Sequence, residues 1–156
     1  MDSILIKSLP RLLIAAAVVL LLASPIFAKD VAYCSGRDNY AVKVKGLDIN
    51  PDPVERGKPA TFSISATTEE PITGGKLLIE VSYFGIHIHS ETHDLCTETT
   101  CPASGDFVLE HSQSLPGFTP PGNYWLTMKM ISPQGKQLTC INFGFSIGFA
   151  SSVAAD

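Results

Sequence analysis

The sequence predicts an all-β protein, an antiparallel sandwich of about seven short strands. Three observations carry this. Apolar residues alternate with polar ones in one stretch after another. Pro- and Gly-rich segments punctuate those stretches. Beyond residue 28 no segment of useful length has a helical period, which argues against a βαβ enzyme fold.

Residues 1–28 read differently from the rest. Lys7 and Arg11 precede an apolar run of 12 residues, Leu12 to Ala23. Ser24-Pro25-Ile26-Phe27-Ala28 follows, and the chain turns polar at Lys29-Asp30. A basic start, a short apolar middle and a small residue before a polar switch predict a secretory signal peptide, cleaved after Ala28. The alternative is an uncleaved anchor, for which the run is short. Residues 29–149 form the predicted domain, and the small, polar tail at 150–156 is expected to be disordered.

The strands follow in order. Tyr40, Val42 and Val44 share a face, and Gly46 then shifts the parity so that Leu47 and Ile49 continue it, as a bulge would. Asn50-Pro51-Asp52-Pro53 and Arg56-Gly57-Lys58-Pro59 are turns. From Ala60 to Thr67 the alternation is clean, with Phe62, Ile64 and Ala66 on the buried side. Pro71 to Gly75 breaks the chain. Leu77, Ile79, Val81 and Tyr83 share the next apolar face, with Leu78 and Phe84 opposite. Gly85 is read as a second parity shift, after which Ile86 and Ile88 face inward and His87 and His89 outward.

Residues 91–106 read as a polar loop, Phe107 to Leu109 as a short strand, and Leu115 to Gly122 as irregular chain broken by prolines and glycines. Tyr124, Leu126, Met128 and Met130 form a further strand face. Ser132-Pro133-Gln134-Gly135 is a hairpin turn, and Ile141, Phe143, Phe145 and Ile147 complete the last strand.

Nine of the 11 basic and 14 of the 15 acidic residues lie beyond Ala28, a formal charge of −5. No Lys/Arg cluster is present, so nucleic acid is not an expected partner. Four cysteines, Cys34, Cys96, Cys101 and Cys140, predict disulfides in an oxidising compartment. Four allow three pairings. Cys96 and Cys101 are spaced so that a local loop could close, which would leave Cys34 and Cys140 to join the two ends of the domain. The spacing is not that of a zinc knuckle.

No catalytic motif occurs: no nucleophile elbow, no phosphate-cradling loop, no H-E-x-x-H. No catalytic residue, cofactor or metal is therefore expected. His87, His89 and His93 could in principle meet a metal, but an outer, wet face for His87 and His89 is the simpler reading, and His111 stands apart in sequence. A milder role for such histidines is pH sensing near an opening.

The inward faces are the candidate ligand site: Phe62, Ile64, Leu77, Ile79, Val81, Tyr83, Tyr124, Leu126, Met128, Met130, Phe143 and Phe145, with Phe118 at a rim. They either fill one another or border a hollow. The adaptable Met128 and Met130, and an aromatic Phe118 with no strand face to serve, favour the hollow. His87, His89, Phe118 and Tyr124 are the expected mouth residues.

Several motifs occur in a specific order. These are Tyr33-Cys34-Ser35-Gly36, Leu47-Asp48-Ile49-Asn50-Pro51, Val54-Glu55-Arg56-Gly57-Lys58, Gly85-Ile86-His87-Ile88, Cys96 to Cys101-Pro102, Pro121-Gly122-Asn123-Tyr124 and Leu138-Thr139-Cys140-Ile141. In order and spacing they resemble the ML (MD-2-related lipid-recognition) domain family, over about Val31 to Ile147. That family includes the Niemann-Pick C lysosomal sterol-transfer protein and phosphatidylglycerol/phosphatidylinositol transfer proteins. The stretch around His87 to Asp94 and the Pro116 to Gly122 loop are most similar to plant members. The resemblance implies an immunoglobulin-like sandwich with an internal lipid cavity, and disulfides Cys34–Cys140 and Cys96–Cys101. It implies a non-enzymatic protein that holds a sterol, or an acyl chain of phosphatidylglycerol or phosphatidylinositol, and exchanges it by transient membrane contact. The signal peptide and the cysteines place the expected monomer in the secretory pathway, outside the cell or in a vacuolar or endomembrane lumen. A protein receptor for the loaded form would be a further partner. One departure stands out. The sterol-transfer members carry another disulfide near the first proline turn, where this chain has Asn50-Pro51-Asp52-Pro53. A sterol is therefore not implied over a phospholipid. The rival expectation is a signalling or adhesion module with a solid core.

Overall fold

The computed structural model describes residues 29–149, so the predicted signal peptide and the C-terminal tail lie outside the described residues. Eight strands are present among them, where about seven were expected: β1 (Ala32–Tyr33), β2 (Val42–Asn50), β3 (Pro59–Ile72), β4 (Lys76–Tyr83), β5 (Ile86–Asp94), β6 (Ala103–Ser114), β7 (Gly122–Ile131) and β8 (Gln137–Ile147). One sheet has the order β1-β8-β7-β4-β5 and the other β2-β3-β6, with antiparallel neighbours throughout. A 3₁₀ turn at Cys34–Gly36 and one short helix, α1 (Leu95–Glu98), interrupt the strands.

Period-2 patterning decides which faces meet. Ala60, Phe62, Ile64 and Ala66 of β3 are buried, as are Tyr124, Leu126, Met128 and Met130 of β7 and Ile141, Phe143, Phe145 and Ile147 of β8. These side chains pack across the gap between the sheets, which is where the hydrophobic effect places them. The expected bulge in β2 lies between Val44 and Gly46, so Leu47 and Ile49 stay on the buried side. The Ser132–Gly135 turn closes through Gly135 N–H donating to the Ser132 carbonyl at 2.9 Å. Both disulfides, Cys34–Cys140 and Cys96–Cys101, are formed.

Three local expectations are corrected. Gly85 is not a parity shift within a strand. Phe84 (φ 49°) and Gly85 (φ 75°) form a two-residue hairpin turn between β4 and β5, with Tyr83 paired to Ile86. Positive φ at both central residues suits the twist of the flanking strands, and Phe84 is unusual in adopting it. The second correction is length. β5 runs on to Asp94 and β6 starts at Ala103, so most of the predicted loop at 91–106 is regular structure. β3 likewise continues through Pro71 to Ile72, after a register shift beyond Thr68.

The third correction concerns faces. Val81 pairs with His89 but Ser82 pairs with His87, which leaves Ile88 as an extra residue in a bulge. Beyond it, His89, Glu91 and His93 lie opposite Val81, Ile79 and Leu77, on the inward face. Ile86 and Ile88 are exposed instead of buried.

Candidate functional site

The two sheets do not fill the space between them evenly. At one end Ile64, Leu77, Met128, Met130, Ile141 and Phe143 are each at most 1% exposed and close-packed. At the end that holds the β4–β5 hairpin and the β6–β7 loop there is a cavity of about 320 Å³. Ala60 and Phe62 of β3, Ile79 and Val81 of β4, Tyr124 and Leu126 of β7, and Phe145 and Ile147 of β8 form its apolar walls. Its volume falls at the low end of the range for small-molecule sites, about 300–1,000 Å³. A larger hollow of about 890 Å³ lies over the Cys96–Cys101 loop, but it opens on the surface, with Thr97, Thr100, Ser104, Asp106 and Glu110 exposed along it, and is surface relief.

The cavity exists because of what the chain puts at that end. Ala60 is small where its strand neighbours on the inward face are Phe62 and Ile64, so it leaves room. The edge strands β5 and β6 bring His89, Glu91, His111 and Gln113 to the rim in place of large apolar side chains. Ile88 of the β5 bulge, Ser114 at the end of β6, and Leu115, Pro116 and Thr119 of the irregular segment after it complete the lining.

An aromatic column runs along one wall. Tyr83 stacks on Tyr124 at 4.5 Å, Tyr124 on Phe145 at 5.4 Å, and Phe145 meets Phe62 edge-on at 5.5 Å. Its outer end anchors the loop. The Tyr124 hydroxyl donates to the Pro120 carbonyl at 2.7 Å and that of Tyr83 to the Pro121 carbonyl at 3.1 Å. Burial, helped by the neighbouring Tyr83 hydroxyl, holds the Tyr124 pKa above its ordinary value of 10.0. Gly122 (φ 137°) lets the Tyr83 ring lie close, since a Cβ there would sit 3.2 Å from the Tyr83 hydroxyl.

Of the residues expected at the site, Phe62, Ile79, Val81, Tyr124, Leu126 and Phe145 line the cavity. Ile64, Leu77, Met128, Met130 and Phe143 lie in the packed half. Tyr83 is behind the wall, stacked on Tyr124. Phe118 is 86% exposed on the rim loop and does not line the cavity. His89 is at the rim, whereas His87 is exposed and hydrogen-bonds Ser90 at 2.7 Å. His111 does not stand apart in space. It is 3% exposed, on the inward face of β6 beside Phe62, and its ring lies 4.8 Å from that of His93. Sequence reasoning missed Ala60, Glu91 and His111; Ala60 gave no signal of its own, since Ala66 is an equally small residue on the same face.

The ML domain family model matches residues 28–147, nearly all of the described chain. The chain belongs to the ML domain family. Its members are lipid-binding and lipid-transfer proteins, not enzymes. A Dictyostelium discoideum relative named for phosphatidylglycerol/phosphatidylinositol transfer is 30% identical over 144 residues, covering 89% of this chain and 97% of its own. The phosphatidylglycerol/phosphatidylinositol transfer protein of Aspergillus oryzae is 32% identical over 116 residues, covering 70% of this chain and 66% of that one. Among solved structures, a Niemann-Pick type C2 protein from Japanese carpenter ant superposes with a TM-score of 0.60 at 13% identity, over 78% of this chain and 100% of that one. Chicken MD-1 complexed with lipid IVa superposes with a TM-score of 0.51 at 15% identity, over 73% and 85% of the two chains. At such identities these two show the ML sandwich fold alone.

Proposed function

We propose that this ML domain carries one phospholipid of the phosphatidylglycerol or phosphatidylinositol class and exchanges it with membranes after secretion. The observation that carries the reading is the apolar cavity between the sheets, open at a rim of hydrogen-bonding side chains. An acyl chain would lie against Phe62, Ile79, Leu126 and Phe145. The headgroup would stay at the rim, where His89, Gln113, Ser114 and Thr119 offer partners. Each buried methylene contributes about 0.8 kcal/mol relative to water. Relative to membrane the gain is small, because a bilayer is nearly as apolar a host. Exchange between the two is then close to balanced, as a carrier requires.

The cavity end also carries exposed apolar side chains. Phe84 and Phe118 are 84% and 86% exposed, and Ile86 and Ile88 lie on the same hairpin as Phe84. The hairpin and the rim loop flank the opening, and together they are a candidate membrane-contact surface. The disulfides suit an oxidising destination, outside the cell or in a vacuolar or endomembrane lumen, with the protein working as a monomer.

A sterol is the competing ligand. A vesicle-to-vesicle transfer assay with fluorescent phosphatidylinositol, phosphatidylglycerol and sterol separates the two. Faster phospholipid than sterol transfer supports the reading. Sterol transfer alone would replace the ligand, and no transfer of any probe would refute the carrier role.

A further inference from the structure

Beside the cavity, four side chains from three elements meet at the seam between the sheets. Glu91 and His93 come from β5, His111 from β6 and Glu98 from α1. The two imidazoles lie between the two carboxylates in matching orientations. Nε2 faces the same oxygen of Glu91 in both, at 3.4 Å from His93 and 3.1 Å from His111. Nδ1 faces Glu98 in both, at 3.6 Å from His93 and 3.3 Å from His111.

The hydrogen bonding makes this arrangement informative. Nδ1 of His111 is in hydrogen-bonding geometry with Glu98, whose carboxylate can only accept. That contact occupies Nδ1 and leaves Nε2 as the ring atom turned toward Glu91. The Nε2 atoms of His93 and His111 are shut off from solvent and have no hydrogen-bond partner, despite the nearby Glu91 oxygen. Two ring nitrogens and one carboxylate oxygen, atoms of the kinds that ligate metals, therefore converge, and neither nitrogen is taken up by a hydrogen bond. A cation would satisfy these unpartnered buried atoms.

We propose that Glu91, His93 and His111 bind a divalent zinc-class cation. Two imidazoles and one carboxylate are a ligand set that zinc takes, leaving a fourth position open. The three donor atoms lie within 4.8 Å of one another. A tetrahedral zinc with ligands at about 2.0–2.1 Å holds its donors about 3.3 Å apart, so the site closes by an ångström or so on filling. His93, 31% exposed, has room to make that adjustment. Glu98 supplies the outer contact that fixes the tautomer and orientation of metal-bound histidines. Its own position is set by α1, which Asp94 caps through its carboxylate accepting from Cys96 N–H at 2.8 Å, and by the Cys96–Cys101 disulfide. The fourth position is left for water beside the cavity, which Glu91 and His111 also line. Because β5 and β6 belong to different sheets, the cation would pin the two sheets together at the cavity rim.

The test uses untagged, lipid-free protein, so it does not depend on the carrier reading. Calorimetric titration with zinc chloride at pH 7.5 should give one site with a Kd of about 1 μM or tighter. Cobalt(II) should give the visible absorption of a tetrahedral complex. His93→Gln and Glu91→Gln, whose side chains are partly exposed and should leave the β-sheet circular dichroism intact, should weaken binding at least about 100-fold. Glu98→Gln should weaken it by about 10–100-fold while keeping the cobalt spectrum. His87→Gln should change nothing. Absence of saturable binding, or an affinity that follows His87 and not His93, would overturn the proposal.

Discussion

Replacing Ala60 by Phe puts the cavity itself to the test. Ala60 is 1% exposed, points inward from β3 and lines the hollow beside Phe62. The substitution adds a six-carbon ring to a space of about 320 Å³. If that space holds an acyl chain, the ring displaces roughly five of its methylenes, a gross loss of about 4 kcal/mol at 0.8 kcal/mol each. Displaced carbons return to a membrane and recover much of this, so lipid affinity measured against vesicles should fall about 10- to 100-fold. Stability should hold, because the ring enters empty space, and the melting temperature should stay within a few degrees of the parent. In a solid core the same ring would overpack its neighbours at a cost of about 1–3 kcal/mol. That would lower the melting temperature by about 3–12 °C in a domain of this size. Fluorescent phospholipid binding and a thermal melt, run side by side, separate the two cases. A marked drop in melting temperature, or unchanged lipid binding at unchanged stability, would refute the reasoning.

Other expectations follow from the same geometry. Phe84→Asp combined with Phe118→Asp should slow vesicle transfer by about tenfold or more, each ring contributing on the order of 1.5 kcal/mol at a membrane surface, with lipid capacity in solution unchanged. Removing Cys34–Cys140, which closes 106 residues, should cost nearly 5 kcal/mol by loop-closure entropy, against about 2 kcal/mol for Cys96–Cys101, which closes 5; chemical denaturation of the two Cys→Ala pairs measures both. Tyr124→Phe should lose the bond to the Pro120 carbonyl, cost about 0.5–1.5 kcal/mol and increase proteolysis of the 115–121 loop. Because the folded-state pKa of Tyr124 lies above that of the unfolded chain, its contribution is fully present below pH 10 and is lost as pH rises through the raised value. An alkaline stability titration should therefore show a steeper decline for the parent than for Tyr124→Phe.

Much of the fold was readable where a strand has one wet and one dry face. β3, β7 and β8 are such strands, and Phe62, Tyr124, Met128 and Phe143 are buried as their alternation demands. Pro133 and Gly135 marked their turn for the same local reason. β5 and β6 were obscure because they are polar on both faces beside the cavity. Their inward faces carry His89, Glu91, His93, His111 and Gln113, so polar residues fall on both sides and no period survives. The extra residue at Ile88 then reversed the faces, and nothing in Ile86-His87-Ile88-His89 distinguishes a bulge from an uninterrupted strand. Phe84-Gly85 lacks the Asn-Gly signature of a tight hairpin, so a reversal of the chain read as a shift of parity.

The site was legible as a surface but not as a place. Ile64 and Phe62 have the same pattern and opposite neighbourhoods, one in the packed half and one on the cavity wall. Alternation tells which side of a strand is dry. How far along the strand the two sheets part depends on what the other sheet brings there, and that is a property of pairing register. The meeting of His111 with Glu91 and Glu98 is of the same kind, since it joins side chains from β5, β6 and the short helix between them.

Native mass spectrometry of the protein, purified without detergent and followed by organic extraction, measures the cargo itself. The account predicts one phospholipid-sized adduct per chain, lost at higher collision energy, and a phosphatidylglycerol or phosphatidylinositol species in the extract. A bare-chain mass under the gentlest conditions, with an extract free of lipid and no uptake from offered vesicles, would contradict it.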